Sequence, residues 1–284
     1  MDISDIEKLE KNPKVKVWSY PGLRALILQP SFNPAPSKFI TDKAGKPLDK
    51  NPLLDVRVRR ALNMAINREA IADRVARGGV TVATQWMPAD TFGYNPDYAK
   101  IAVDPARAKA LLAEAGYPDG FKLTMHVPGE RYPLAPETAQ AVAQFWTRIG
   151  VETQVEVVPF SVYVTGANKN EYAMSVIGWG NGTGEGTYAM TSILATNDNA
   201  KGLGASNWGR YSNPKLDEAL AKAGAEFDDP KREAIIKDAV KVVMDDVGII
   251  PLYHYKNIWA SRPDLKVVPW NSDRTVAMQV SKAK

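Results

Sequence analysis

Apolar and polar positions along the chain change period several times, and each change predicts an element. LRALILQ, Leu23 to Gln29, reads as a strand, and the stretch from Pro30 to Pro52, crowded with Pro, Ser, Asn and Lys, as a long surface loop. In DVRVRRALNMAIN a helical period brings Val56, Ala61, Met64 and Ala65 near one face. Asn67 then has the place of an N-cap for a second helix, REAIADRVARGG, closed by Gly78. Asp104 and Pro105 open another helix as N-cap and first turn, and Gly116 ends it.

From Phe121 to Gly178 the alternation becomes regular. FKLTMHV predicts a strand. PETAQAVAQFWTRIG predicts a helix with Ala139, Val142, Ala143, Trp146 and Ile149 on one side and Gly150 as its stop. ETQVEVVP is again strand-like, a short helical or irregular piece starts at Ser161, and YAMSVIG, Tyr172 to Gly178, is a third strand. A βαβ unit followed by a shorter crossover predicts a largely parallel sheet. If the first and third of these strands run parallel, the loops PGERYPLAP and WGNGTGEGTY leave the same carboxyl edge, where open α/β sheets bind ligands.

Beyond this, Asn213 and Pro214 open one helix, and Asp229 and Pro230 a longer one that carries Ala234, Ile235, Ala239, Val242 and Val243 inward. Asp245 and Asp246, late in that helix, read as surface charge. IIPLYHYKNIWAS reads as extended chain interrupted by proline, and the tail to Lys284 as one or two further strands.

The run IGWGNGTGEG, with glycine at every second position from Gly178 to Gly186, asks for a purpose. A phosphate loop needs Lys and Ser or Thr after its last glycine, and Glu185-Gly186-Thr187 supplies a carboxylate instead. The dinucleotide fingerprint also fails, because no glycine stands three residues after a Gly-x-Gly pair. A flexible linker does not fit Trp179 at the start of the run, with Tyr188, Met190 and Ile193 close behind. Two readings remain: a structural turn, or a surface that a ligand approaches closely, with backbone N–H and C=O groups exposed to it.

Composition narrows the chemistry. The 284 residues are 45% hydrophobic, enough for one large domain or two ordinary ones. No run approaches the roughly 18 apolar residues of a membrane helix, and the start, MDISDIEKLEKNPK, lacks the basic and apolar regions of an export signal. The net charge of +4 is spread through interleaved acids and bases, which does not favour nucleic-acid binding. With zero cysteine, disulfides, thiolate metal sites and cysteine nucleophiles are excluded.

His126 and His254 are the only histidines, and neither sits in a metal motif. Each is expected to be a strand residue with a satisfied hydrogen bond. There is no G-x-S-x-G elbow and no recognisable carboxylate pair, so no catalytic residue, cofactor or metal is expected. The rival from another class is a hydrolase using Glu130 or His126. Arg131, in a proline-bounded loop beside Glu130 and Tyr132, is either an ordinary exposed or salt-bridged arginine or a fork for a ligand carboxylate.

Six segments in sequence order resemble the solute-binding proteins of peptide-type ABC transporters, the dipeptide- and oligopeptide-binding family: LLDVRVRRALNMAINREAI, DPARAKALLAEAGYPDGF, RIGVETQVEVVPFSVY, IGWGNGTGEG, GRYSNPKLDEAL and IIPLYHY. The resemblance implies an α/β, periplasmic-binding-protein-like lobe (type II, peptide-binding subclass) with a largely parallel sheet flanked by helices. It also implies that the chain is the C-terminal portion of a two-lobed protein. Residues 1–33 resemble the end of the first lobe and a crossing strand, 34–251 the second lobe, and 252–284 the return into the first. In that family the ligand lies between lobes that close on it by hinge motion, and the closed form docks on a membrane permease, in the periplasm.

On this resemblance the ligand is a small peptide or peptide-like solute. The ligand-facing residues are Arg131, Tyr132, Trp179, Gly180, Asn181, Gly182, Thr183, Glu185 and Trp208. Peptide binders of the family commonly carry an aspartate shortly after the Gly-Trp pair to hold the peptide's amino group. Here Asn181, Gly182 and Thr183 occupy those positions, which leaves Glu185 to serve or the ligand without a free ammonium. An isolated lobe could also self-associate through its uncovered cleft face.

Overall fold

The computed structural model of the protein describes residues 3–283. A short helix α1 (Ile6–Glu10) leads into the long strand β1 (Lys16–Pro30). The loop that follows carries only the two-residue strand β2 (Ile40–Thr41). Helices α2 (Val56–Ala65) and α3 (Arg68–Arg74) come next, with the Asp55 and Asn67 side chains accepting from the first-turn N–H groups of Arg57 and Ala70. Strand β3 (Val80–Val82) precedes α4 (Pro105–Glu114), which is capped by Asp104 as expected.

The alternating stretch folds as β4 (Phe121–Pro128), α5 (Ala135–Arg148), β5 (Val151–Val158), α6 (Phe160–Asn168) and β6 (Met174–Gly180). The third strand therefore starts two residues later than its apolar run suggests and takes Trp179 and Gly180 into its end. One turn of helix, α7 (Thr187–Ala189), continues as a π-helical turn over Met190–Leu194. Then come α8 (Pro214–Ala225), α9 (Asp229–Asp246), β7 (Ile250–Ser261) and a small separate hairpin of β8 (Leu265–Val267) with β9 (Val280–Lys282).

Seven strands form one sheet. One side of it is parallel: β5, at the edge, pairs with β4 along its whole length, and β4 pairs with β6 at Met125 and His126. Antiparallel strands continue the sheet from there, β1 beside β6, β7 beside β1 and β3 beside β7, and β2 lies against the start of β4. The segments expected to bracket the second lobe, residues 1–33 and 252–284, thus contribute β1 and most of β7 to the same sheet. Pro251 does not interrupt β7. The register slips by one residue between Leu26 and Ile27, opposite Tyr253 and Pro251, so a bulge absorbs the missing N–H.

Both faces of the sheet are covered. Strand alternation sends Leu26 and Leu28, with Leu123, Met125 and Val127, onto Val58, Leu62, Val142 and Trp146 of α2 and α5. Ala25, Ile27 and Ile177 face the other way, onto α8 and α9 and onto Trp86 and Met87. This explains why Ala25 to Leu28 are apolar without a break. On α9 the buried stripe is Ile236, Ala239, Val240, Val243 and Met244, while Ala234 is exposed and Ile235 and Val242 are half-buried. The inward face is turned by about one residue from the expected one, set by packing against the cluster that holds Trp86, Met87 and α8.

Asp246 is not free surface charge. The buried Arg59 guanidinium donates to its carboxylate and, through Nε and Nη2, to its backbone carbonyl at 2.9 and 2.7 Å. A cation at the last carbonyls of α9 also opposes the helix dipole.

Candidate functional site

The parallel pairing of β4 and β6 brings their carboxyl ends to one edge, and the loops after them share a cleft there, as the strand order predicts. The cleft has a volume of about 700 Å³ and is lined by Arg131, Tyr132, Trp179, Gly180, Asn181, Gly182 and Trp208 from the expected set. Thr183, which is exposed, and Glu185 are not brought into it. Glu185 turns the other way, where the Arg232 guanidinium of α9 holds both its oxygens, with Nη1 to Oε2 at 2.8 Å, and Thr187 donates to it as well. Burial alone pushes this carboxyl up, but the Arg232 and Thr187 hydrogen bonds and the Arg232 charge outweigh it, and the net shift is downward. A carboxylate so engaged is not available to a ligand.

The loop after β4 is shaped by backbone conformation. Glu130 and Leu134 both adopt left-handed φ, 59° and 58°, uncommon for residues with side chains and a cost of order 1 kcal/mol or more each. Between these two kinks Tyr132 turns inward, only 7% exposed, and Arg131 stays outward. The Arg131 guanidinium lies 5.1 Å from the Phe160 ring centre and 5.5 Å from that of Tyr132. Among the described residues it forms no ion pair, so the cation is presented to the cleft on aromatic faces rather than neutralised.

The alternating glycines have separate reasons. A Cβ on Gly178 would stand 2.5 Å from Cδ1 of Tyr132, so the Tyr132 ring occupies the space of the missing side chain. Gly184 has φ of +69° and makes the turn of the loop. Gly182 has open space around it. The run thus makes a turn at Gly184 and lines the cleft at Gly178, Gly180 and Gly182.

Asn181 forms the floor of the cleft. Its backbone N–H donates to the carbonyl of Leu23 at 2.9 Å. Its side chain is fully buried, and neither Nδ2 nor Oδ1 has a partner among the described residues; Trp179 Nε1 is likewise buried and unpaired. Unpaired buried polar groups are costly, and three stand together beside this cleft. Trp208 differs: its Nε1 already donates to Asn168 Oδ1 at 2.9 Å and its ring meets Tyr163 edge-on, leaving an apolar face.

Several lining residues were not legible in the sequence. Between Pro21 and Ala25 the β1–β7 register shifts, so Gly22, Leu23 and Arg24 bulge out opposite Tyr255 and swing Leu23 and Arg24 into the cleft. The bulge is held by Asn181 on one side and by Leu23 N–H donating to Asn271 at 3.2 Å on the other. Arg24 pairs with Asp273 at 2.8 Å, and Trp270, Ser272 and Arg274 complete that wall. With Asp273 balanced by Arg24, the cleft carries an excess of positive charge from Arg131 and Arg274.

Glu130 and His126 are not assembled into a catalytic pair, and neither lines the cleft. His126 is buried, stacked at 3.9 Å on Tyr172, with Nε2 3.3 Å from Glu156. Both histidines lie in strands, and each leaves one ring nitrogen, His126 Nδ1 and His254 Nε2, without a hydrogen-bond partner among the described residues. No helix among the described residues is long and apolar enough to cross a membrane, and no group of three or more metal-ligating side chains occurs among them.

The family described as bacterial extracellular solute-binding proteins, family 5 (middle region), matches residues 1–201. The chain is 29% identical over 89% of its length to heme-binding protein A of Haemophilus influenzae, and 27% identical over 88% to the dipeptide-binding protein of Escherichia coli. These alignments cover 43% and 44% of the two relatives, so the chain spans less than half the length of the curated relatives it matches. Among solved structures, that of HbpA2 from Haemophilus parasuis superposes with a TM-score of 0.82 at 26% identity, covering 99% of this chain and 52% of that one.

Proposed function

The chain belongs to the bacterial extracellular solute-binding proteins of family 5, and from that premise we propose that it is the ligand-holding second lobe of a periplasmic capture protein that delivers a small peptide-like solute to an ABC permease. In this reading residues 34–251 form the lobe, and the chain on either side of it continues into a partner lobe. Similar proteins bear names as different as heme-binding and dipeptide-binding, so the ligand class has to come from the local chemistry.

One observation carries the choice: an unneutralised Arg131 shares a cleft with the buried, unpaired Asn181 carboxamide. A guanidinium fork suits a carboxylate. A carboxamide offering both donor and acceptor, beside a Trp179 donor, suits an amide group. No unengaged carboxylate lines the cleft to hold an ammonium, and the surplus of arginine repels one. The ligand is therefore an acid whose amino end is acylated or absent, such as an N-acylated dipeptide.

Titration calorimetry of the chain with N-acetyl-alanyl-alanine and with free alanyl-alanine tests this. The acetylated peptide should bind about tenfold tighter or more, and R131A should remove about the same factor. N181D should move the preference toward the free amine. Equal affinity for the two peptides, or no saturable binding of either, overturns the reading.

A further inference from the structure

A second pocket, of about 510 Å³, opens on the sheet face that carries α8 and α9, and it shares no lining residue with the cleft. Its walls include Glu69, Asp90, Tyr20, Tyr94 and Met87, and His254 lies at its base, paired in β7 with Ala25 and Thr81.

The imidazole of His254 is 4% exposed, and its Nε2 has no partner among the described residues. The ring does bond to the backbone of Trp86, in the sense that favours its proton, so the Trp86 carbonyl accepts. With Nε2 unpartnered, the donor is Nδ1, and Nε2 is left as a lone-pair acceptor facing inward. Burial keeps the ring neutral near pH 7 and, against the opposing pull of the Trp86 bond, pushes its titration down to about 4. Asp90 acts on the same ring through its charge. The pocket thus combines a buried acceptor with two carboxylates, two phenol rings and the apolar Met87. Acceptors dominate where the ligand's polar atoms would sit, and aromatic faces add attraction for a cation.

We propose that this pocket is a second small-molecule site and that it takes an alkylguanidinium. A planar fork can donate to Nε2 and to a carboxylate at once, while its alkyl stem lies against Met87 and the tyrosine rings. The site is independent of the capture cleft, whose surplus charge is of the opposite sign.

The test is a long-range proton–nitrogen correlation spectrum of the nitrogen-labelled chain, which reads the His254 Nε2 resonance directly, during titration with butylguanidinium chloride. A saturable shift of that resonance is expected. E69Q and D90N, both changes of exposed side chains, should each weaken binding about tenfold, the size of one lost charge-assisted hydrogen bond. R131A should leave the affinity unchanged, and tetramethylammonium, a cation with no N–H, should leave Nε2 unmoved. An unsaturable shift, an equal response to tetramethylammonium, an affinity indifferent to both carboxylate changes, or loss of binding in R131A would each overturn the proposal.

Discussion

The ring of Tyr132 lies where the side chain of residue 178 would be: a Cβ on Gly178 would approach Cδ1 of Tyr132 to 2.5 Å. The glycine at the end of β6 and the tyrosine in the loop after β4 form one packing unit. Their contact sets how closely the two loops of the cleft approach.

Gly178→Ala should therefore destabilise the chain by about 1–3 kcal/mol, as overpacking does. Because the clash is with one ring, the same change in a Tyr132→Ala background should be close to neutral. Urea unfolding of the two single variants and the double variant measures this; additive losses would show that Tyr132 is not what Gly178 makes room for.

The Glu185–Arg232 pair fastens the glycine loop to α9, and Arg232 also donates to the Ala223 carbonyl at 3.0 Å. Glu185→Gln should cost about 1 kcal/mol at neutral pH. Because the folded-state pKa of Glu185 is lowered, its contribution is fully present above the unfolded carboxyl range and is lost as pH falls from there through the lowered folded value. Stability measured from pH 6 down to pH 3 should accordingly converge between wild type and variant.

Arg59 joins the start of α2 to the end of α9, and its Nη1 also donates to the Leu53 and Leu54 carbonyls at 2.8 and 2.9 Å. Arg59→Met would leave buried carbonyls unpaired and should cost about 3 kcal/mol. Arg59→Lys should recover only part, since one ammonium cannot reach all these acceptors. The shift in denaturant midpoint at constant slope reads both.

His254 predicts a pH dependence of its own. Its titration moves from 6.5 down to about 4 on folding, so the unfolded chain takes up the proton first. The associated stability is fully present above pH 6.5 and is lost as pH falls toward 4, amounting to about 3 kcal/mol. His254→Gln should flatten that part of the profile. A residual slope should persist from His126, whose pKa burial also lowers, against the opposing pull of Glu156.

Local pattern carried much of this molecule. The order of β4, α5, β5, α6 and β6, the caps at Asn67, Asp104 and Asn213, and the common edge of two loops follow from periodicity and turn chemistry within short windows. The set Arg131, Tyr132, Trp179 to Gly182 and Trp208, which one cleft gathers, is named by the family resemblance rather than by local pattern. A strand's burial pattern and a helix's cap are properties of neighbouring residues, and neighbours are visible in a sequence.

Tertiary structure decided the rest. Arg24 reaches the cleft only because β1 bulges against β7, and it meets Asp273 across 249 positions of chain. Glu185 turns away from the cleft to Arg232, 47 positions on. Strand direction beside the parallel unit and the unpaired nitrogen of His254 likewise depend on which distant segments pack together. Charges and lone pairs take the partner that is nearest in space, and spatial proximity between remote residues is written in no local period.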